Sequence, residues 1–316
     1  TSMQGRLPGV QITTDPAPGA GGSTIRVRGM STINGNDPLV VIDGIPTTEN
    51  LNSLNPADIA SIQVLKDASS ASIYGSRAAN GVIVITTKRG KMADRPRIEY
   101  RMQLGFSQVA CGKWDLMNTA ERIEYEQQIG MDEGQNYPLL RQTDINWMEQ
   151  VFNSSAMLQN HEIAVSGADE KTSYYISGGY YNQDGIAMGS SFERFSSRQN
   201  FERKMGSWLK MGANTMLNFQ NITQADEGSY TLVTPISAAR FMMPYWDPHR
   251  ADGSLASISD GSWKGQGQNP LEWLENNPVT YKKYKLISTV FAEATPIEGL
   301  TLRSQLGVDY SHTTGF

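Results

Sequence analysis

Residues 97–107 alternate without a break. Ile98, Tyr100, Met102, Leu104 and Phe106 fall on one side, and Arg97, Glu99, Arg101, Gln103, Gly105 and Ser107 on the other. Period two over so long a run describes an extended strand with one apolar and one polar face. The same grammar recurs at 160–166, 174–180, 209–220 and 300–310, and less cleanly at 192–203 and 284–295. Seven strands are expected from residue 97 onward.

The connections between these strands alternate in length. Short turns are expected at 168–171, 205–206 and 296–299, and long connections at 109–157, 184–191 and 223–283. Structureless loops of more than about 12–15 residues count against a compact soluble domain. A transmembrane barrel expects them, with short turns on one rim and long loops on the other. If the first strand runs outward, every long connection lands outside. Tyr100, Phe106, Tyr180, Tyr181, Phe219 and Tyr310 lie near strand ends, where interfacial aromatic girdles form. Alternation alone also describes a soluble sandwich, so the pattern leaves both architectures open.

Composition removes several function classes. The net charge of −5, with no basic cluster, argues against a nucleic-acid partner. Cys111, the single cysteine, excludes an intramolecular disulfide framework and a Cys-based zinc site. No apolar run reaches the roughly 18 residues of a membrane helix, which leaves barrel strands of about 9–11 residues untouched. The opening residues 1–5 carry no signal-peptide character, and residues 311–316 end in strand-like sequence, so the chain reads as a fragment.

Residues 1–90 have a different grammar, that of a small α+β unit with short elements and much glycine. Residues 24–28 and 39–42 read as strands, the second running into Asp43-Gly44, a tight-turn signal. Asn55-Pro56 reads as a helix start. Strands are expected at 62–66 and 82–87, with a short helix over 68–74 ended by Gly75. Residues 91–96 read as a polar linker.

Three blocks of this first region resemble the plug of SusC/RagA-type TonB-dependent transporters. They are residues 3–10 (MQGRLPGV), residues 24–29 (TIRVRG) followed by 38–46 (PLVVIDGIP), and residues 54–90, which begin LNPADIASIQVLKDASSASIYGSRAANG. The resemblance covers about ninety residues in order; residues 91–316 match in layout rather than by motif. It implies a plug domain (1–90), a linker (91–96) and the first part of an antiparallel transmembrane β-barrel (97–316), the whole barrel having 22 strands. Lipid-exposed sheet edges are not viable, so the remaining strands are expected beyond residue 316, and a TonB-interacting segment before residue 1.

The resemblance further implies energy-coupled import of a bulky nutrient across the bacterial outer membrane. Oligosaccharides are the first expectation and peptides the competitor. Its implied partners are a SusD-like surface lipoprotein, TonB with ExbB and ExbD, and outer-membrane lipid; coupling is mechanical and needs no cofactor. Arg28 and Arg77 resemble plug arginines that pair with barrel carboxylates, and so are candidates for a lock between plug and barrel. Their carboxylate partners are expected outside this stretch.

Other candidates rest on residue type. Residues 31–37 form a polar apex in which Asn34, Asn36 and Asp37 are placed to touch substrate, or simply to be solvated. Tyr245, Trp246 and Trp263 lie in the longest connection, where aromatic rings either stack on sugars or anchor the loop. Asp43 reads as a turn residue rather than a ligand carboxylate. Asn118 with Glu121 reads as a capping box opening a helix over 119–129. No catalytic or metal motif is present: the three histidines are dispersed, and neither His-Glu-x-x-His nor Gly-x-Ser-x-Gly occurs. An adhesin built as a glycan-binding sandwich is the rival of a different class; it leaves residues 1–90 unexplained. A secreted hydrolase would need a catalytic group that the sequence lacks.

Overall fold

The computed structural model describes residues 11–13, 18, 24–27, 37–47, 53–67, 72–110, 116–131, 136–225 and 234–316. They form a two-stranded ribbon, a four-stranded sheet and a seven-stranded sheet.

The ribbon pairs β1 (Gln11–Thr13) with β2 (Thr24–Arg26). The four-stranded sheet contains β3 (Leu39–Ile42), β4 (Ile45–Thr47), β5 (Ile59–Leu65) and β6 (Val82–Thr87), in the order β4-β3-β6-β5. The β3–β6 pair is parallel and the others antiparallel. Between β3 and β4, Asp43 (φ 47°) and Gly44 (φ 88°) are both left-handed. That is the turn whose twist matches a two-residue hairpin, and it explains the Asp-Gly pair. Asn55 caps a single 3₁₀ turn at Pro56–Asp58 by accepting from the Ala57 N–H. In its described part, the helix expected over 68–74 is a 3₁₀ turn that ends at Gly75, whose backbone is non-helical (φ 65°); a second 3₁₀ turn, not expected from sequence, follows it within Ser72–Ala78.

The seven-stranded sheet is an antiparallel meander of β7 (Arg97–Ser107), β8 (Ala156–Ala168), β9 (Thr172–Asp184), β10 (Ser191–Met205), β11 (Leu209–Gln224), β12 (Val279–Ile297) and β13 (Leu300–Gly315). The short turns all fall at one rim and the long connections all at the other. Those connections are not structureless. The first carries α1 (Thr119–Gln128), α2 (Tyr137–Leu140) and α3 (Trp147–Val151), and the last carries α4 (Pro235–Phe241) and α5 (Pro270–Asn276). The α1 cap is the expected box, with Asn118 and Glu121 each accepting from the other's backbone N–H. Helices α2 to α5 are additions to the sequence reading, each opened by an Asn or Thr cap.

The polarity of the long sheet is the reverse of a soluble protein's. One face carries exposed Ile98, Ile163, Ile176, Phe195, Leu217 and Val290. The other buries Glu162, Arg194, Arg198, Asn200, Asn218 and Lys285 against the N-terminal unit. A sandwich would bury its apolar face, so this arrangement removes the soluble alternative. A wall with lipid outside and a wet interior wants this order. Tyr180, Phe195, Phe219 and Tyr284 are register partners on successive strands and form one ring row on the apolar face. Tyr181 is a correction to the girdle expectation: it faces inward, beneath the Arg194 guanidinium. The alternation that puts Tyr180 outside necessarily puts its neighbour inside.

Candidate functional site: the seam between plug and wall

The polar face of the wall grips the N-terminal unit at three levels. The central one is a closed network of four side chains. Asp43 follows directly on β3, and its carboxylate folds back to accept from the Thr87 N–H (2.9 Å) and Thr87 Oγ1 (2.6 Å) at the end of β6. Across the seam, Arg198 on β10 forms an ion pair with the same carboxylate. Arg198 Nη2 also donates to Thr87 Oγ1 (2.9 Å), and its Nε donates to Asn200 Oδ1 (2.9 Å). Asn200 Nδ2 completes the ring by donating to Thr87 Oγ1 (2.8 Å) and to the Lys88 carbonyl (2.7 Å). The Thr87 hydroxyl thus donates once and accepts twice, its full capacity.

Both charges are almost fully enclosed, with side-chain exposure of 2% for Arg198 and 3% for Asp43. A buried pair of this kind is close to neutral for stability against an apolar pair of the same shape. Removing one partner costs about 3–5 kcal/mol, because the other charge is stranded. Its physical effect is therefore to fix where the plug sits, more than to weld it there.

Towards the loop rim, Arg194 Nη1 donates to the Leu54 carbonyl (3.1 Å) and Asn218 Nδ2 to the Ser53 carbonyl (2.8 Å). Level with the central network, on the neighbouring strand β9, Tyr175 Oη (2.8 Å) and Ser177 Oγ (2.6 Å) donate to the Asp58 carboxylate. Near the turn rim, Arg89 pairs with Glu202, which Lys210 also holds at 2.9 Å. Ser173 Oγ donates to the Gly90 carbonyl. The stretch read as a linker is itself docked: the Ala93 N–H donates to Ala168, and Gly90 lies so close to the β8–β9 hairpin that a Cβ there would sit 2.0 Å from the Gly167 carbonyl oxygen. Apolar contact joins the two bodies as well, since Met216 and Ile287 of the wall pack into the plug core of Val40, Ile42, Ile83 and Ile85.

The candidates named from sequence are distributed unevenly. Arg28, Asn34 and Asn36 lie outside the described residues. Asp37 is exposed at the start of the segment leading into β3. Arg77 is exposed and makes no ion pair among the described residues. Two ion pairs cross the seam among the described residues: Asp43–Arg198 has the acid on the plug and the arginine on the wall, whereas Arg89–Glu202 has the plug arginine and wall carboxylate of the expected lock, at a residue other than Arg28 or Arg77. Asp43 keeps its turn role and adds its pairing with Arg198. Thr87, Arg198 and Asn200 were not singled out; the available signal was the poor alternation of 192–203, where arginines occupy positions facing inward.

At the loop rim the connections fold into one body. Trp147, Val151, Ala238, Met242, Ala256 and Trp263 make its core. Trp263 is 5% exposed, packed edge-on to Trp147 and Trp246, and its indole N–H donates to the Gly267 carbonyl. Trp246 and Tyr245 are half-buried. Tyr245 Oη donates to Glu126 Oε1 on α1 (2.9 Å), and burial, reinforced by that bond, pushes the phenol up to about 12. The β9–β10 connection is tied in through Asn153 N–H to the Ile186 carbonyl and Met188 N–H to the Val151 carbonyl. All three rings thus make contacts within the loop body, Trp263 enclosed and the other two with an edge exposed.

A plug-like unit seated by polar contacts on the wet face of a lipid-facing wall defines the chain as part of a plugged outer-membrane β-barrel. Residues 1–82 match the family described as TonB-dependent Receptor Plug Domain. TonB-dependent receptor P26 of Formosa agariphila is 33% identical over 324 residues, covering 99% of this chain and 31% of that protein. TonB-dependent receptor SusC of Bacteroides thetaiotaomicron is 32% identical, covering 86% of this chain and 29% of that protein. Among solved structures, the RagAB peptide importer in its open-open state superposes with a TM-score of 0.85 at 30% identity, covering 99% of this chain and 38% of that one. The chain belongs to the SusC/RagA type of TonB-dependent transporters, proteins of the bacterial outer membrane. It spans about a third of the length of the curated relatives it matches.

Proposed function

We propose that this chain forms the plug and the first part of the wall of an importer that carries a bulky nutrient across the outer membrane. The carrying observation is the Asp43–Arg198–Thr87–Asn200 network. It seats the plug largely by polar bonds, beside a small apolar contact at Met216 and Ile287, which suits a stopper that must leave and return. TonB, with ExbB and ExbD, would supply the pull from the periplasm, and a SusD-like lipoprotein would close the loop rim. Coupling is mechanical, and the chain carries no chemistry on its cargo.

The cargo class we favour is an oligosaccharide, supported by likeness to SusC. A peptide cargo is the second reading, favoured by likeness to the protein described as the RagAB peptide importer. Arg28 and Arg77 remain proposed as further lock residues. Asn34, Asn36 and Asp37, with the half-buried edges of Tyr245 and Trp246, remain proposed cargo contacts; Trp263 is the weakest of these because its ring is enclosed.

The test is uptake by cells making the whole transporter with its lipoprotein, given fluorescent oligosaccharides or fluorescent peptides. TonB-dependent entry of the first and not the second supports the favoured reading, and the converse supports the peptide reading. Entry of neither, with the protein present and folded, would overturn import of both.

A further inference from the structure

The turn rim of the wall carries a step on its lipid-facing side. The β9–β10 ladder stops at the pair Thr172–Arg203, whereas β10 and β11 run on together to the pair Met205–Leu209. Arg203 lies at the foot of that step. It shares strand parity with exposed Phe195 and Phe201, so it faces lipid. From the ring row down to the strand ends at this rim, every other lipid-facing position of the seven strands is uncharged.

Two lysines adjoin it. Lys171 ends the β8–β9 turn, and Lys204 follows on β10 with the opposite parity, its N–H donating to the Lys171 carbonyl (2.7 Å). All three cations are exposed, and none forms an ion pair among the described residues. The acids of that turn are Asp169 and Glu170. Asp169 attracts Arg203 and Lys171, but its Oδ1 is already held by the Lys171 and Thr172 N–H groups at 2.7 and 2.6 Å. A guanidinium on the outside of a barrel is tolerated near the interface, where its long stem lets the head reach polar ground. Around Arg203 the protein offers mostly apolar surface: Phe201 and Ala213 towards mid-height, Met211 beside it, and Met205 with exposed Trp208 towards the rim. The polar ground left is that of the lipids, and at the rim of short turns those are the lipids of the periplasmic leaflet.

We propose that the step at Arg203 binds the phosphate of an anionic phospholipid from the periplasmic leaflet. Arg203 offers a planar fork that matches two phosphate oxygens, and Lys171 adds a second charge. Basic groups beside a bilayer draw anionic headgroups in this way. Trp208 marks the level of the headgroups, as aromatic rings at barrel interfaces do, and Phe201 and Met211 lie where the acyl chains begin. A free phosphate ion would gain the charges without that apolar frame. The inference rests on the barrel reading and is independent of cargo and of TonB.

The experiment uses the whole transporter, released from outer membranes in mild detergent and examined by native mass spectrometry with phosphatidylglycerol or phosphatidylcholine added. The parent protein is expected to prefer phosphatidylglycerol, and Arg203→Gln to weaken that binding by about tenfold. Arg203→Lys, which keeps the charge and loses the fork, should fall between the two. Lys282→Gln, at a lipid-facing position near the loop rim, should change nothing. No preference in the parent, unchanged binding in Arg203→Gln, equal weakening in Arg203→Lys or Lys282→Gln, or displacement of the lipid by inorganic phosphate would each overturn the proposal. The barrel reading fails separately, if the transporter purifies as a soluble protein without detergent.

Discussion

Arg198 and Asn200, two positions apart on β10, both donate to the single hydroxyl of Thr87, which in turn donates to Asp43. Because the network has no spare donor or acceptor at Thr87, the four residues are expected to behave as one unit. Asp43→Asn, which keeps the left-handed turn, or Arg198→Met alone should weaken plug seating by about 3–5 kcal/mol, while the two together should cost well under the sum of the single losses. Protease sensitivity of the plug in the whole barrel, taken through a double-mutant cycle, measures the coupling. Additive losses would show that the pair is not a unit.

Gly90 is predicted to be intolerant of even one carbon. A Cβ there meets the Gly167 carbonyl oxygen at 2.0 Å and the Tyr174 carbonyl oxygen at 2.6 Å, both of them backbone. Gly90→Ala should lift the stretch between plug and wall off the β8–β9 hairpin. Faster hydrogen exchange at Ala93, whose N–H bonds Ala168, is the readout. Gly105→Ala, where the nearest atom is 3.8 Å away, is the matched control and should change nothing.

The loop body should melt separately from the wall. Trp263→Ala removes a buried ring from its core, a change that typically costs about 3–5 kcal/mol. Loop helices α3 and α4 are expected to lose exchange protection while β10 and β11 keep theirs. Equal loss in both would mean that loops and wall form one cooperative unit.

Tyr245 carries a pH dependence with a definite sign. Its folded-state phenol is raised from 10 to about 12, first by burial and then by its bond to Glu126. A raised group contributes stability that is fully present below the unfolded value and is lost as pH climbs through the folded one. The tie between the two loops should therefore hold up to pH 10 and fail between pH 10 and about 12. The difference in absorbance titration between the parent protein and Tyr245→Phe should show one tyrosine ionising late. If the missing tyrosine ionises near 10, the bond to Glu126 does not form.

The wall was legible in the residues and the seam largely was not. Period two in 97–107 and 209–220 reports which side of a strand meets lipid, and the structure assigns those sides as read. The Asp43-Gly44 turn and the Asn118–Glu121 cap were readable because each is a local arrangement of three or four residues. The partner of Asp43 lies 155 positions away on a strand whose inward positions include two arginines, so that local pattern hides it. Trp263 looked equally suited to cargo or to packing until its neighbours Trp147 and Trp246, brought from other parts of the loops, enclosed it. Helices α2 to α5 escaped notice because each is only one or two turns long, with a cap but too few residues for a period.

The buried face of the wall, lined with Glu162, Arg194, Asn200, Asn214, Asn218 and Thr289, is hydrophilic in its own right. All of these groups hydrogen-bond readily to water. When the proposed stopper withdraws, a bore lined mainly by such groups should flood rather than collapse, since its few apolar side chains, such as Met216 and Ile287, are outnumbered by polar ones. In the importer proposed above, the plug would guard a hole that stands open by default, and reseating it would be as much a part of the cycle as removing it.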